Sequence, residues 1–220
     1  MLDKLISKST LLGDMCEELI FGVVITKNKD EVVSTQKKSG WKPFVEGKDI
    51  GAYRIEEIHQ YLNYEPKLLH RARTKEIFEA KEKLLIQRIT GGNKPIKVAY
   101  DNNQLYNKES INNLILKEDT PFKIKYILGL LNSNLVNWFY TNQFTNQSTL
   151  TVNLSKEYLV QIPIANLNDK QQDKIVQIVD KVLEMKKSNK DSSSLEKQIN
   201  EMIYKLYDLT EEEIKIVQGS

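Results

Sequence analysis

The sequence is poor in the residues that build disulfide frameworks and metal sites. Its 220 residues include one cysteine, Cys16, and two histidines, His59 and His70. One cysteine cannot form a disulfide within the chain, which is typical of proteins kept in a reducing compartment. The histidines lie near no nucleophile pattern, so we interpret them as surface or packing residues. One cysteine also cannot supply the several thiolate ligands of a cysteine metal site within the chain.

Long hydrophobic runs are also missing. No apolar stretch approaches the roughly 20 residues that cross a membrane. The first ten residues, "MLDKLISKST", contain acidic and polar interruptions and no cleavage-like site, so we do not expect a signal peptide. We therefore expect a cytoplasmic protein with no membrane partner.

Several enzyme motifs are absent. The chain has no G-x-S-x-G sequence, no Walker loop and no zinc-ligand spacing. An amino-group DNA methyltransferase would need a glycine-rich cofactor loop and an Asn/Asp-Pro-Pro-aromatic motif, but the five prolines are never adjacent. A nuclease would have to use Glu79 and Lys81, which lack an upstream Pro-Asp partner. We predict no catalytic centre in this chain.

Charge is plentiful but unevenly distributed. The net charge is only +2. Between residues 67 and 97, however, nine Lys and Arg residues stand against three Glu, whereas six acidic residues stand against three Lys from residue 195 onward. This pattern indicates a body that faces a polyanion and a separate helical piece.

The sequence pattern predicts an α+β fold, with a mixed, β-rich domain carrying helices over residues 1–165 and a helical pair over 166–220. "LLIQRI" and "IKVAYD" read as two strands of a hairpin joined by a Gly-Gly turn. Residues 67–83 permit a helix throughout. Apolar residues from Ile124 to Trp138 recur at three- and four-residue spacings, as on an amphipathic helix.

Three C-terminal helices are predicted at about 168–187, 194–208 and 211–217. Asn168 is a credible N-cap, and Thr210 with Glu213 forms a capping box. An apolar seam lies on the second helix, at Leu195, Ile199, Met202 and Leu206. This seam either packs on the helix that carries Ile175 to Met185 or docks on a partner.

Binding chemistry is concentrated in the basic hairpin and in one polar run. We predict Arg88 inside the first strand, Lys94 and Lys97 beside the turn, and Arg71 and Arg73 on the segment before it. Residues 141–153, "TNQFTNQSTLTVN", are rich in amide and hydroxyl groups that can recognise base edges. The alternative is that this run is simply a polar loop.

Several segments, in this order, resemble one family. "KPFVEGKDIGAYRI", "KLLIQRIT", "YILGLLNSNLVNWFY" and "STLTVNLSKEYLVQIPI" resemble TaqI-like specificity domains. "DKQQDKIVQIVDKVLEMKK" and "LEKQINEMIYKLYDLTEEEIKIV" resemble helices that follow the recognition domains of type I specificity subunits and of fused type II methyltransferase–endonucleases. The resemblance spans about Leu11 to Val217. One departure is "FTNQSTLTVN", which stands where many relatives have a Gly-Gly or similar turn.

The resemblance implies a target recognition domain that binds double-stranded DNA and directs an adenine-specific methyltransferase or endonuclease. It implies no cofactor in this chain; S-adenosylmethionine, and Mg²⁺ for a nuclease, would belong to the rest of the full enzyme. The methyltransferase, and a nuclease domain where there is one, would be partners in the same chain or in another subunit. The alternative is a protein-interaction module that docks on a methyltransferase subunit.

The candidate DNA-binding residues combine basic side chains with amides and one hydroxyl. Arg88 would present its fork to bases, and Lys94 and Lys97 would hold phosphates. The rival interpretation pairs Arg88 internally with Glu82 or Asp101. The full set is Lys42, Lys48, Arg54, Arg71, Arg73, Arg88, Thr90, Lys94, Lys97, Asn142, Gln143, Asn146 and Gln147.

Overall fold

The computed structural model describes residues 1–26, 29–145 and 150–219, which form an α+β fold as predicted. The α-helices are α1 (Leu2–Ser7), α2 (Leu12–Met15), α3 (Lys29–Val32), α4 (Lys75–Glu79), α5 (Ile124–Leu131), α6 (Asn134–Phe144), α7 (Lys156–Leu159), α8 (Asp169–Lys187), α9 (Ser193–Leu206) and α10 (Glu211–Gln218). The strands are β1 (Ser9–Leu11), β2 (Cys16–Phe21), β3 (Val33–Ser34), β4 (Lys42–Val45), β5 (Ile50–Gly51), β6 (Arg54–Ile55), β7 (Gln60–Leu62), β8 (Lys83–Gln87), β9 (Ile89–Thr90), β10 (Val98–Asp101), β11 (Tyr106–Asn107), β12 (Ile111–Leu116), β13 (Val152–Asn153) and β14 (Pro163–Ala165). No described helix is long and apolar enough to span a membrane.

The main sheet has the strand order β10-β8-β12-β2, and all of its pairings are antiparallel. The predicted hairpin is confirmed, because Val98 pairs with Ile86 and β8 with β10. Strand β8 is buried on both faces. Leu84 and Ile86 belong to the largest apolar cluster, while Leu85 belongs to a smaller cluster with Ile111. Successive strand residues point to opposite faces of the sheet, so β8 contributes side chains to both apolar clusters.

A second sheet, in the order β11-β4-β7-β3, has its own apolar core. The Phe78 ring of α4 stacks on the Tyr106 ring with 4.5 Å between centroids. By sequence, residues 67–83 permit a helix throughout. The structure instead has a short 3-10 helix at Pro66–Leu68 and a separate α-helix, α4. The part between them is drawn into a backbone bridge, since the N–H of Val24 donates to the carbonyl of Arg71 at 3.1 Å.

The amphipathic stretch from Ile124 onward is two helices rather than one. The hydroxyl of Ser133 accepts a hydrogen bond from the N–H of Val136 and thereby caps the start of α6. The side chain of Asn132, between the helices, accepts from the N–H of Val98 at 3.0 Å and donates to its carbonyl at 2.9 Å. Asn132, which lies between α5 and α6, therefore connects these two helices to the edge strand β10.

The C-terminal helices begin at the caps that the sequence indicates. Capping boxes form at Asn168 with Gln171 and at Thr210 with Glu213. In the seam of α9, Ile199 is buried in the largest cluster together with residues of α5 and α8. The seam therefore packs within the chain. The same cluster includes residues on both sides of position 165, and the division of the chain at that position stays a prediction.

A buried ion pair links the hairpin to the second core. The ammonium of Lys83 lies 2.5 Å from the carboxylate of Asp101, and both side chains are fully buried. Lys83 also donates to the carbonyl of Phe78 at 2.6 Å. Asp101 accepts from the N–H groups of Asn103 and Leu105. Burial lowers the pKa of Lys83, and the attraction of Asp101 opposes that effect.

We expect Lys83→Met to destabilise the fold by about 3–5 kcal/mol, because it leaves the Asp101 carboxylate buried without its counter-charge. The free energy of unfolding, from denaturant titration followed by circular dichroism, measures this. Lys81→Met is the matched control, since Lys81 is exposed, and it should change stability by less than about 0.5 kcal/mol. Equal effects of the two substitutions would contradict the role of the pair.

The first and last helices are joined by a second ion pair. The ammonium of Lys4 lies 2.8 Å from the carboxylate of Glu213, which also accepts from the N–H of Thr210. The contact with Lys4 and the bond from Thr210 lower the pKa of Glu213 from 4.5 to about 2. A carboxyl with a depressed folded-state pKa stabilises the fold above its unfolded-state pKa.

We expect Glu213→Gln to be less stable than the parent at pH 7. The difference should shrink as the pH falls from about 4.5 toward about 2, where the parent carboxylate becomes protonated. Urea unfolding midpoints across this range provide the measurement. Glutamine keeps an acceptor for the Thr210 N–H, and Glu211→Gln controls for charge in the same helical turn. A difference that persists unchanged at pH 2 would refute the assignment.

Candidate nucleic-acid interface

Arg88 lies between two strands, so the prediction that places it inside one is wrong. Its N–H donates to the carbonyl of Ser110 at 2.8 Å, while its own carbonyl accepts from the N–H of Leu154 at 2.8 Å. The chain leaves the main sheet at this residue, and β9 then pairs with β13 instead of continuing β8. Arg88 thus occupies the bend between two sheets.

Two arginines converge on one aromatic ring. The guanidinium carbons of Arg73 and Arg88 lie 4.1 and 4.9 Å from the centroid of the Phe21 ring. Arg73 donates from Nε to the carbonyl of Phe21 at 3.0 Å, and Arg88 donates from Nη1 to the carbonyl of Glu109 at 3.3 Å. Cation–π contact and these bonds fix both planar groups. We call Phe21, Arg73 and Arg88 the Phe21 arginine cluster.

The internal partners that the rival interpretation gave to Arg88 are engaged elsewhere. Glu82 accepts a hydrogen bond from the hydroxyl of Tyr100 at 2.8 Å, and Asp101 is paired with Lys83. The Glu109 carbonyl is a neutral acceptor. The positive charge of Arg88 therefore has no carboxylate ion pair among the described residues.

The backbone at Arg73 is left-handed, with φ at +65°. Such a conformation is costly for a residue with a side chain and persists where its surroundings hold it. Here the hydroxyl of Tyr64 donates to the Arg73 carbonyl, and the side chain is held on Phe21. Burial, followed by the nearby charge of Arg71, lowers the pKa of Arg73, while Glu18 raises it. An arginine nevertheless stays protonated.

Three of the predicted lysines occupy a different place, a cleft of about 610 Å³ beside α9. Lys48, Lys94 and Lys97 line this cleft, and so do Glu196 and Glu201 of α9. The carboxylates reduce the positive potential there. The role of Lys94 and Lys97 in holding phosphates stays a prediction, as does the role of Lys48 in binding DNA.

Two further predicted cations are paired with acidic residues. Lys42 lies 3.2 Å from Glu79, which also accepts from the hydroxyl of Tyr106 at 2.8 Å. The bonds from Tyr106 and Lys42 hold the pKa of Glu79 below its ordinary value. Arg54 lies 2.7 Å from Glu56. Glu79 thus accepts hydrogen bonds from Lys42 and Tyr106, and the expectation that it is not a nuclease carboxylate stays a prediction.

The predicted polar residues are spread over two elements. Asn142 in α6 donates to the carbonyl of Trp138 at 2.8 Å, and Gln143 beside it is exposed. The hydroxyl of Thr90 in β9 is buried and bonds to no described residue. Asn146 and Gln147 lie outside the described residues.

Both histidines are exposed, as interpreted from the sequence, and His59 lies 3.8 Å from Glu57. Over residues 1–26, 29–145 and 150–219, no three His, Cys, Asp or Glu side chains come together as a metal site. The geometry of the described residues instead offers fixed guanidinium groups and exposed amides. These groups suit the recognition of an acidic polymer.

The family model described as the TaqI-like C-terminal specificity domain matches residues 42–164, more than half of the sequence. The chain belongs to this family. The specificity-domain match includes Arg73 and Arg88, whereas Phe21 precedes it. The aromatic partner of the cluster was missed by the sequence analysis, because nothing in "ELIFG" indicates which distant side chains its ring will meet.

The chain is also similar to individual proteins. Over 134 residues it is 32% identical to a Methanocaldococcus jannaschii protein named as a type II restriction enzyme and methyltransferase, with 60% of this chain and 11% of that protein covered. The fold is similar to that of the type IIL restriction-modification enzyme MmeI, solved in complex with DNA, at a TM-score of 0.61, 12% identity, and coverage of 92% of this chain and 35% of that chain. The HsdS subunit from Thermoanaerobacter tengcongensis gives a TM-score of 0.47 at 14% identity, over 90% of this chain and 44% of that chain.

We expect Phe21→Leu to destabilise the fold by about 1–2 kcal/mol, because two guanidinium groups lose their aromatic face at roughly 0.5–1 kcal/mol each. Phe21→Tyr keeps the ring face and is the control. Thermal and denaturant unfolding of both variants provide the comparison. Equal stability of the leucine and tyrosine variants would show that the ring contributes only apolar volume.

Proposed function

We propose that this chain recognises a specific base sequence in double-stranded DNA and directs an adenine methyltransferase or endonuclease to that site. The observation that carries the proposal is the specificity-domain family match over residues 42–164. The M. jannaschii relative named as a restriction enzyme and methyltransferase supports it. So does the fold shared with MmeI, which was solved in complex with DNA.

The Phe21 arginine cluster is the part of the domain best suited to base recognition. An arginine fork donates two parallel hydrogen bonds to the O6 and N7 atoms of guanine in the major groove. Arg88 has five N–H donors, of which the contact to Glu109 uses one. Because Phe21 and the Glu109 carbonyl already restrict the side chain, little conformational entropy remains to be lost on binding.

The catalytic steps would belong to other parts of the full enzyme. The chain spans 11% of the length of the M. jannaschii relative, which leaves ample length there for other domains. We propose that S-adenosylmethionine, and Mg²⁺ where cleavage occurs, would be bound by methyltransferase and nuclease parts in the same chain or in a partner subunit. This chain would contribute the choice of site.

Docking through the apolar seam of α9 is the weaker alternative. Ile199, at the centre of that seam, is 1% exposed. A methyl group added at Gly129 of α5 would come within 3.8 Å of the Ile199 side chain and 3.1 Å of Val179 in α8. The seam is therefore filled by the chain's own helices.

Selection of bound duplexes from a randomised DNA pool, at moderate salt with competitor DNA, tests the proposal. We expect enrichment of one short motif. Salt-sensitive binding without enrichment would contradict autonomous recognition, and the absence of any binding would contradict a DNA-facing role for this chain.

Two substitutions should separate base contacts from phosphate contacts. Arg88→Ala should relax preference at one base pair, with a loss of about 1–3 kcal/mol in discrimination. Arg88→Lys keeps the charge without the fork, so it should relax the same position. Lys94→Ala should instead weaken all sequences alike and reduce the salt slope by about 0.9.

Titrations of the selected duplex and of its single-pair variants, at several salt concentrations, measure both effects. If Arg88→Ala and Lys94→Ala both bind like the parent, the hairpin lies outside the interface.

A further inference from the structure

The two-stranded ribbon of β9 and β13 presents one exposed face. Ile89 pairs directly with Asn153, and Thr90 pairs with Val152. Side chains directly opposite each other in an antiparallel pair lie on the same face. Ile89 is 59% exposed and Asn153 is exposed, whereas Val152 is 2% exposed. The outward face therefore carries one β-branched apolar side chain beside one amide.

The exposure of Ile89 and the hydrogen bonding of Asn153, taken together, distinguish this face from ordinary surface. A single exposed isoleucine is common in proteins and needs no explanation. Here it adjoins Asn153, whose side-chain amide donates to and accepts from no described residue, although its backbone carbonyl accepts from the hydroxyl of Tyr140. The sequence analysis noted the amide-rich run that contains Asn153 but did not select this residue.

The ribbon also starts at the Phe21 arginine cluster. Ile89 directly follows Arg88, and the N–H of Leu154, next to Asn153, donates to the Arg88 carbonyl. Arg88, a member of the cluster, thus occupies the base of the ribbon. The positive charge of the cluster favours the approach of a polyanion such as duplex DNA.

We propose that the β9–β13 ribbon enters the major groove and recognises an A·T step, an assignment that rests on the proposed function. The major groove admits a two-stranded ribbon. Asn153 donates to N7 and accepts from the N6 amino group of adenine, while Ile89 packs on the 5-methyl group of thymine. Opposite side chains of a ribbon have Cβ atoms roughly 5 Å apart, so both contacts fall on one base pair or on neighbouring pairs.

Base analogues in the selected duplex test each contact separately. Replacing one thymine by deoxyuridine removes only the methyl group, and replacing one adenine by 7-deazaadenine removes only the N7 acceptor. We expect a deoxyuridine position at which the parent binds about fourfold more weakly, the effect of losing one buried methyl group. We also expect a 7-deazaadenine position in the same or the next base pair that weakens parent binding.

The variants assign each penalty to its side chain. The deoxyuridine penalty should vanish in Ile89→Ala and persist in Asn153→Ala, and the 7-deazaadenine penalty should show the reverse. Ile216→Ala is the matched control, because Ile216 in α10 is 55% exposed. It should retain both penalties. Unchanged thermal unfolding of the variants, whose altered side chains are exposed, confirms that the fold is intact.

Three results overturn the inference. Penalties that persist in both ribbon variants assign these contacts to other residues. A parent that binds its motif without either penalty does not read an A·T pair through the major groove. A parent that enriches no motif contradicts autonomous recognition by this chain, and the ribbon assignment with it; the first two results leave the proposed function standing.

Discussion

The arrangement of the two cores depends on one buried ion pair. Lys83 and Asp101 face each other across β8 and β10, where they are cross-strand partners. From that position Lys83 reaches the end of α4 at the Phe78 carbonyl, and Asp101 holds the turn that leads into β11. Two charges fully removed from water require close partners of this kind. The pair consequently fixes the second sheet against the main sheet.

The same hairpin sets the position of the candidate interface. Strand β8 begins at the ion pair and ends one residue before Arg88. There the backbone is bonded on one side to Ser110 and on the other to Leu154. Because both neighbours belong to ordered segments, the bend has little freedom to turn. A guanidinium group that starts from so constrained a backbone, and then rests on Phe21, has a narrow range of orientations.

Local sequence signals predicted the parts of the fold that local interactions determine. Two apolar segments on either side of a Gly-Gly turn indicated the β8–β10 hairpin, and Asn168 and Thr210 marked helix starts that the structure has. Long-range contacts decided the rest. Lys83 reads as one more cation in a basic run, although it is fully buried. Residues 69–74 could form a helix, but a backbone bridge at Arg71 draws them toward Val24 instead.

The candidate site was predictable in its chemistry but not in its geometry. A basic hairpin and an amide-rich run could be identified from composition. The convergence of Arg73 and Arg88 on Phe21 joins residues far apart in sequence, and no periodicity encodes it. The exposed face formed by Ile89 and Asn153 depends on the register of β9 with β13. A shift of one residue would exchange inward and outward side chains.

The amide of Asn132 has a consequence for the behaviour of the protein at high concentration. Strand β10 is an edge of the main sheet, and an open edge is a template on which a second chain can add a strand. Asn132 bonds to both the N–H and the carbonyl of Val98, as a neighbouring strand would do. The N–H of Tyr53 also donates to the Val98 carbonyl, at 2.8 Å. Together these groups close that point of the edge and oppose aggregation by strand addition there.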